Sequence, residues 1–195
     1  DLVRRISKEF DGIKFSVPGG TDVNQLDVEM IDLLAAANFY KLTLNIESGN
    51  QDIQDQLIDK DVKLDRVPEL VDYLRSKKIE TKAMLMIGFP GEKRDSIDKT
   101  VELARSLNVD DFFLSIVSPL PGTPLFDECE EKGLFVEGFN LSEIRYSLST
   151  IRLPDTTPEE LENIRSSVWR EAFKERREEL AASSGERHHR FFDIE

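Results

Sequence analysis

Residues 81–92, TKAMLMIGFPGE, decide the fold. Thr81–Ile87 is a near-continuous apolar run of strand length, the composition expected of a strand covered on both faces. It stops at Gly88-Phe89-Pro90-Gly91-Glu92, a cluster of turn residues. Beyond that cluster Ile97, Val101, Ala104 and Leu107 recur at helical spacing. A buried strand, a tight exit and an amphipathic helix are the repeating half of a βαβ unit.

The same unit recurs on both sides. Upstream, Leu42–Ile46 is a strand left through Ser48-Gly49-Asn50. Ile53, Leu57 and Ile58 then make a short helical pattern. Leu64, Val67, Leu70, Val71 and Leu74 make a clearer one, with Asp65 as its expected cap and Pro68 in its first turn, where a missing N–H costs nothing. Further upstream, Ile13–Val17 is the first strand, Pro18-Gly19-Gly20 its exit, and Leu26–Ala37 its helix. Downstream, Phe112–Val117 is the fourth strand, left through a Pro/Gly loop from Ser118 to Pro124. Strands separated by helices imply a parallel sheet. After a short helix around Pro124–Lys132 and an irregular stretch to Pro154, Thr157-Pro158-Glu159-Glu160 starts a last helix. Thr157 is its cap and Glu160 the capping-box partner. Leu161, Ile164, Val168, Ala172 and Leu180 give that helix one apolar face, and Ala181–Glu195 reads as a frayed tail.

Composition narrows the function. The 195 residues are 39% hydrophobic and 33% charged, enough apolar material for a core. The net charge of −13 argues against a surface that binds phosphate backbones, since that affinity comes from clustered Lys and Arg. No run reaches the length of a membrane span and no secretory signal is visible, so the cytoplasm is the expected compartment. The one cysteine, Cys129, excludes an internal disulfide or a metal centre built from several thiolates of this chain. It lies among Asp127, Glu128, Glu130 and Glu131, whose charges would raise a thiol pKa and blunt it as a nucleophile. His188 and His189 are adjacent in the tail, which leaves no base for a Ser-His-Asp or Cys-His system in the body.

The two ends of the strands differ. The helix-to-strand connections, Asn38–Lys41, Lys77–Glu80 and Asn108–Asp111, are plain and polar, whereas the strand exits hold the glycines and prolines. Ligands of parallel α/β folds bind at the carboxyl ends of strands, so the exits mark one rim as the site. Glu47, ending an apolar strand, is the most informative residue: a carboxylate there must be paired or face a polar cavity. Ser48 could equally cap the next helix, and Gly88–Glu92 taken alone could be only a turn. No Lys-Ser/Thr follows Pro18-Gly19-Gly20, so it is not a P-loop.

Three segments, in this order and separation, resemble one family. Leu44-Asn45-Ile46-Glu47-Ser48-Gly49-Asn50, Met84–Glu92 and Ser118-Pro119-Leu120-Pro121-Gly122-Thr123-Pro124-Leu125 are similar to the signatures of strands four, five and six in the radical S-adenosylmethionine (SAM) superfamily. The chain most resembles the branch with cobalamin-dependent radical enzymes, tRNA methylthiotransferases and the Elongator catalytic subunit. The resemblance covers about residues 10–135. It implies an α/β fold: an incomplete parallel (β/α) TIM-like barrel, strands three to six of six, with a C-terminal helical extension. The implied division is residues 1–135 for the partial barrel, 136–182 for the extension and 183–195 for a flexible tail. The family's CxxxCxxC motif and its Gly-Gly-Glu segment are absent; Gly19-Gly20 is followed by Thr21, after the third strand. Where the family often has glycine before strands four and five, this chain has Asn38 and Lys78. Asn tolerates a left-handed backbone; Lys does so less readily.

The resemblance further implies that the full-length protein uses SAM and a [4Fe–4S] cluster, with cobalamin as a further candidate. This chain alone is expected to hold none of them tightly and to be inactive by itself. Glu47 and Ser48 are implied to face the ribose hydroxyls or the sulfonium, Ile87 and Gly88 to pack on the adenine, and backbone at Val117 and Ser118 to bond its edge. Asn45 and Ser16 are candidates to face the lumen, and Lys60 lies where the family often has a basic residue. The expected partners are a missing N-terminal part carrying the cluster motif and a small-molecule substrate in preference to nucleic acid, with no membrane. The open edge at Ile13–Val17 invites self-association or a fold-back of the C-terminal segment. Competing readings are a tRNA-modifying radical SAM enzyme and a non-catalytic α/β binding or interaction module. A flavodoxin-like phosphate site ranks last, because Glu92 would set an acid beside the anion.

Overall fold

A computed structural model describes the backbone of residues 2–10, 12–58, 60 and 62–182. Strands β1 (Phe15–Asp22), β2 (Phe39–Glu47), β3 (Glu80–Ile87) and β4 (Asp111–Ile116) form one sheet in the order β1-β2-β3-β4, every neighbouring pair parallel. The helices are α1 (Leu2–Glu9), α2 (Val28–Ala36), α3 (Gln51–Ile53), α4 (Val67–Ser76), α5 (Arg94–Ser106), α6 (Pro124–Glu131) and α7 (Pro158–Ala182). The expected parallel α/β sheet is therefore present. The tail expected at 183–195, with His188 and His189, lies outside the described residues.

Strand alternation sets the layers. Leu42, Leu44 and Ile46 of β2, Ala83, Leu85 and Ile87 of β3, and Leu114 and Ile116 of β4 point toward the helices. There they meet Ile31 and Leu34 of α2, Val71 and Leu74 of α4, Ile97 and Val101 of α5, and Leu161 and Val168 of α7. Each fully buried Leu or Ile contributes about 1.5–3 kcal/mol. The opposite face is half-open, and β3 shows it: Glu80, Lys82, Met84 and Met86 alternate with fully buried residues. The expectation of a strand covered on both faces fails here, and Lys82 is the reason the run was never fully apolar. On this inner face Lys41 pairs with Glu80 at 3.9 Å and Lys82 with Asp111 at 3.6 Å.

Two local readings are corrected. Pro18-Gly19-Gly20 is not the exit of the first strand but a bulge inside β1, where the register with β2 shifts between Val17 and Thr21. Edge strands tolerate a proline and a bulge because one side of the backbone has no ladder to satisfy. The exit lies after Asp22, whose side chain caps a 3₁₀ turn at Val23–Gln25. Asp65 does not cap α4 either; it lies inside a second 3₁₀ turn, Leu64–Arg66, and Arg66 precedes the helix with no side-chain cap. Pro68 does sit in the first turn. The capping box of α7 forms as read: the Thr157 amide donates to Glu160 Oε2 at 2.8 Å and the Glu160 amide to Thr157 Oγ1 at 3.2 Å. Asn38 and Lys78 both adopt left-handed backbone, φ 60° and 61°, closing α2 and α4.

The C-terminal segment covers the β4 side of the sheet. The Ile116 amide donates to Tyr146 O at 2.8 Å, and Arg165 Nε of α7 donates to Leu114 O at 3.1 Å. β1 remains the terminal strand at the other edge.

Candidate ligand site at the strand carboxyl ends

Glu47 is the last residue of β2 and adopts φ 72°. The Ser48 amide donates to Ile46 O at 3.0 Å, so Glu47 is the centre of a γ-turn with positive φ, the rarer and strained kind. The pairing with β3 slips at the same place, between Asn45 and Glu47. A long side chain in left-handed backbone costs about 1–2 kcal/mol because its Cβ crowds the following carbonyl. Its carboxylate, 8% exposed at the residue level, accepts from Lys60 Nζ. Lys60 is thereby a partner of the most informative site residue.

The next residues are fixed from below by α5. Ser48 is fully buried; its Oγ lies 3.3 Å from Thr100 Oγ1 and accepts the Asn50 amide at 3.1 Å. Its hydroxyl is therefore turned into the protein and away from the ligand role the resemblance implies, and the cap of α3 is Asn50, whose Oδ1 accepts the Asp52 amide at 3.0 Å. The Gly49 amide donates to Thr100 Oγ1 at 2.9 Å, and the Gly49 Cα abuts the backbone of Lys99 and Thr100. Only glycine permits that approach. Gln54, in a π-helical turn at Gln54–Ile58, is fully buried, and its Nε2 donates to Ile46 O and, at 2.8 Å, to Ser48 O.

The exit of β3 is locked by its own glutamate. Glu92 is 1% exposed; Oε2 accepts the Gly88 amide at 2.6 Å and the Phe89 amide at 3.0 Å, and Oε1 accepts Ser96 Oγ at 2.8 Å. Burial pushes this carboxyl above its usual range despite those three donors, with Asp95 adding a little. Gly88 has φ 89°. The Ile87 side chain is buried among the helices, so at the rim it presents backbone only, and its carbonyl accepts the Val117 amide at 2.9 Å. Val117 packs with Phe89, Cys129 and Ile151 in a second small core over this end of the sheet. Ser118 Oγ donates to Arg145 O at 3.4 Å. Cys129 is buried in that second core; desolvation first and Glu128 second push its thiol up, the direction expected of a thiol among acids.

The structure thus brings Glu47, Ser48, Ile87, Gly88, Val117 and Ser118 to one end of the sheet. Asn45 lies one turn of the pleat below, half-buried on the inner face, its amide filling the space where Gly20 has no side chain. Ser16 does not join them. It is level with Lys41, six residues below Glu47, about 20 Å away along the strand. The sequence reading missed Gln54, Thr100 and Arg165. Thr100 had a signal, lying three residues after Ile97 on the buried stripe of α5. Gln54 had none, because only the π turn brings it inward.

Comparison with known proteins supplies the family. The sequence profile of the Radical SAM superfamily matches residues 1–104. The chain belongs to the radical SAM superfamily. It is 28% identical over 162 residues to the cytidylyl-2-hydroxyethylphosphonate methyltransferase of Streptomyces wedmorensis, a match covering 79% of this chain and 30% of that protein. It is 24% identical over 155 residues to the anaerobic magnesium-protoporphyrin IX monomethyl ester cyclase of Rubrivivax gelatinosus, covering 80% and 26%. Among solved structures, the radical SAM methyltransferase TsrM from Kitasatospora setae, with cobalamin and a [4Fe–4S] cluster bound, aligns at TM-score 0.62 and 18% identity, covering 84% of this chain and 34% of that one. Such likeness fixes the fold as part of a TIM-like radical SAM barrel. The chain spans less than a third of the length of these two curated relatives.

Radical SAM proteins use SAM and a [4Fe–4S] cluster, and cobalamin joins them in relatives such as TsrM. The residues present do not fit the cluster. It needs three thiolates, and the chain has one cysteine, buried in α6. No group of three metal-ligating side chains occurs among the described residues. Nor is any described helix long and apolar enough to cross a membrane.

Proposed function

We propose that this chain supplies the SAM-facing rim of a radical SAM enzyme whose cluster is held by residues outside it. The observation that carries the reading is Glu47: a carboxylate kept in strained backbone at the carboxyl end of β2, opposite Leu85 of β3. Strain of this kind persists where the surroundings hold it, and it clusters at functional sites. A carboxylate suits two features of SAM, accepting hydrogen bonds from ribose hydroxyls and pairing with the positive sulfonium. Backbone at Ile87–Gly88 and Val117–Ser118 would meet the adenine, Asn45 would line the lumen below, and the buried Glu92 and Ser48 would hold the two loops. A cluster held outside this chain would supply the reducing electron, and these residues would only bind and orient SAM.

The substrate is a small molecule, with a cobalamin-dependent reaction included, and the protein works in the cytoplasm. The charge of −13 supports this over an RNA partner. A missing part of the barrel pairs with the β1 edge and closes the inner face; without it, that edge is where copies of this chain would associate. The test is anaerobic assay of the full-length protein with reconstituted cluster, reductant and SAM. The expected product is 5′-deoxyadenosine, formed at least about tenfold more slowly after Glu47→Ala, as loss of one charged hydrogen bond implies. No product from the wild type would overturn the reading, and wild-type turnover by Glu47→Ala would remove Glu47 from the site.

A further inference from the structure

Glu47 cannot hold its own conformation. A γ-turn with positive φ has a single short-range bond to oppose the steric cost of left-handed backbone, here Ser48 N–H to Ile46 O. Pairing with β3 reaches Glu47, opposite Leu85, only across a register shift from Asn45, so the regular ladder is interrupted at this turn. Something else must fix the peptide units on either side.

Gln54 touches both. Its one amide nitrogen donates to Ile46 O, before Glu47, and to Ser48 O, after it. The side chain is fully buried, and its Oε1 has no hydrogen-bond partner. An aliphatic side chain of the same length would fill the space without burying an unpaired acceptor, so packing alone does not account for a glutamine here. What only the amide supplies is two donors, spaced to bridge the two carbonyls that flank Glu47.

We propose that Gln54 is the positioning residue of this site, a two-donor clamp across the Ile46–Ser48 turn that keeps Glu47 left-handed and its carboxylate at the rim. The proposal deepens the reading of Glu47 as a SAM contact and rests on it for its purpose. The clamp itself can be read without ligand. With the peptide units fixed, the Cα–Cβ direction of Glu47 is fixed, and the carboxylate meets Lys60 and any bound cation from one angle. Without the clamp the turn relaxes toward ordinary strand backbone and the side chain turns away.

Two cycles on the full-length protein test it, both using Gln54→Met, which keeps the shape and removes the donors. The first reads melting midpoints. Glycine takes φ 72° without strain, so Gln54→Met should lower the midpoint clearly in the wild type and much less in a Glu47→Gly background. Equal losses in both backgrounds overturn the clamp. Should Gln54→Met fail to fold, folding of the Glu47→Gly/Gln54→Met pair supports it, and failure of both overturns it. The second reads SAM affinity by equilibrium dialysis. Gln54→Met should weaken binding about tenfold in the wild type and less than about twofold in a Glu47→Gln background. Equal weakening in both backgrounds shows a merely structural role and overturns the positioning claim. If Glu47→Gln binds SAM as the wild type does, the reading of Glu47 falls while the melting cycle still judges the clamp.

Discussion

Replacing Glu92 separates a buried charge from a buried hydrogen-bonding group. Its three partners are the amides of Gly88 and Phe89 and the hydroxyl of Ser96, all in buried surroundings. Glu92→Ala strands two backbone donors at about 1–3 kcal/mol each, so a loss of about 3–4 kcal/mol is expected. For a chain of this size that lowers the melting midpoint by roughly 10 °C. Glu92→Gln keeps the geometry: the amide oxygen accepts both backbone donors and the NH₂ group donates to Ser96. It should lie within about 1 kcal/mol of the wild type at neutral pH. The pH dependence then reads the charge. Burial raises the folded-state pKa of Glu92 above its ordinary 4.5, so the folded protein takes up this proton before the unfolded chain does. Wild-type stability should therefore rise relative to Glu92→Gln as pH falls through the folded value, the gain being complete below 4.5 and lost again as pH rises. Urea titrations of both proteins between pH 7 and pH 4.5 give the difference with other carboxylates cancelling. A wild type that loses ground to Glu92→Gln on acidification would refute the burial argument, and a Glu92→Gln as damaged as Glu92→Ala at pH 7 would refute the hydrogen-bond assignment.

Two further substitutions probe the backbone. Gly49→Ala would push a Cβ to 2.6 Å from Lys99 O and 2.7 Å from Thr100 Cα, both main chain, and should cost about 2–4 kcal/mol, read in urea melts; a loss under 0.5 kcal/mol would mean that α5 shifts freely away from the loop. Lys78→Gly should instead raise stability by up to about 1 kcal/mol, since φ 61° strains a lysine and suits glycine, with Asn38→Gly gaining less because asparagine already tolerates φ 60°; equal gains at the two sites would contradict the steric account.

The frame was legible in the sequence because it depends on periodicity. Apolar runs at Leu42–Ile46 and Thr81–Ile87, followed by helical stripes, give a parallel sheet whatever the side chains on its other face. The capping box of Thr157 and Glu160 was legible because both partners lie three residues apart on one local turn. What escaped was non-local or depended on backbone geometry. Pro18-Gly19-Gly20 has turn composition, yet an edge strand accommodates it as a bulge, and composition does not say which strand is an edge. Ser16 was a lumen candidate from its strand alone, with no height, and it is the register with Lys41 that puts it at the far end. Glu47 stood out as a carboxylate ending an apolar strand, whereas Gln54 did not, because a polar residue beside Ile53 looks like a solvated helix face until the π turn rotates it inward.

The two rim loops share one support, and that decides how the site can move. Ser96 Oγ binds the Glu92 carboxylate that locks the β3 exit, and Thr100 Oγ1, one helical turn later, binds Ser48 and the Gly49 amide at the β2 exit. Thr100 also donates back to Ser96 O at 3.4 Å. A single buried turn of α5 therefore holds both loops, and its other residues, Ile97 and Val101, are anchored in the main core. A displacement of α5 carries Glu47 and Gly88 together, so their separation is set by helix geometry rather than by loop length. A ligand spanning both exits meets a pre-spaced pair of contacts and loses little entropy in ordering them. That spacing needs small hydroxyl side chains at two positions one turn apart on α5 and a glycine opposite the second, a requirement of the rim that the helix carries at a distance from it.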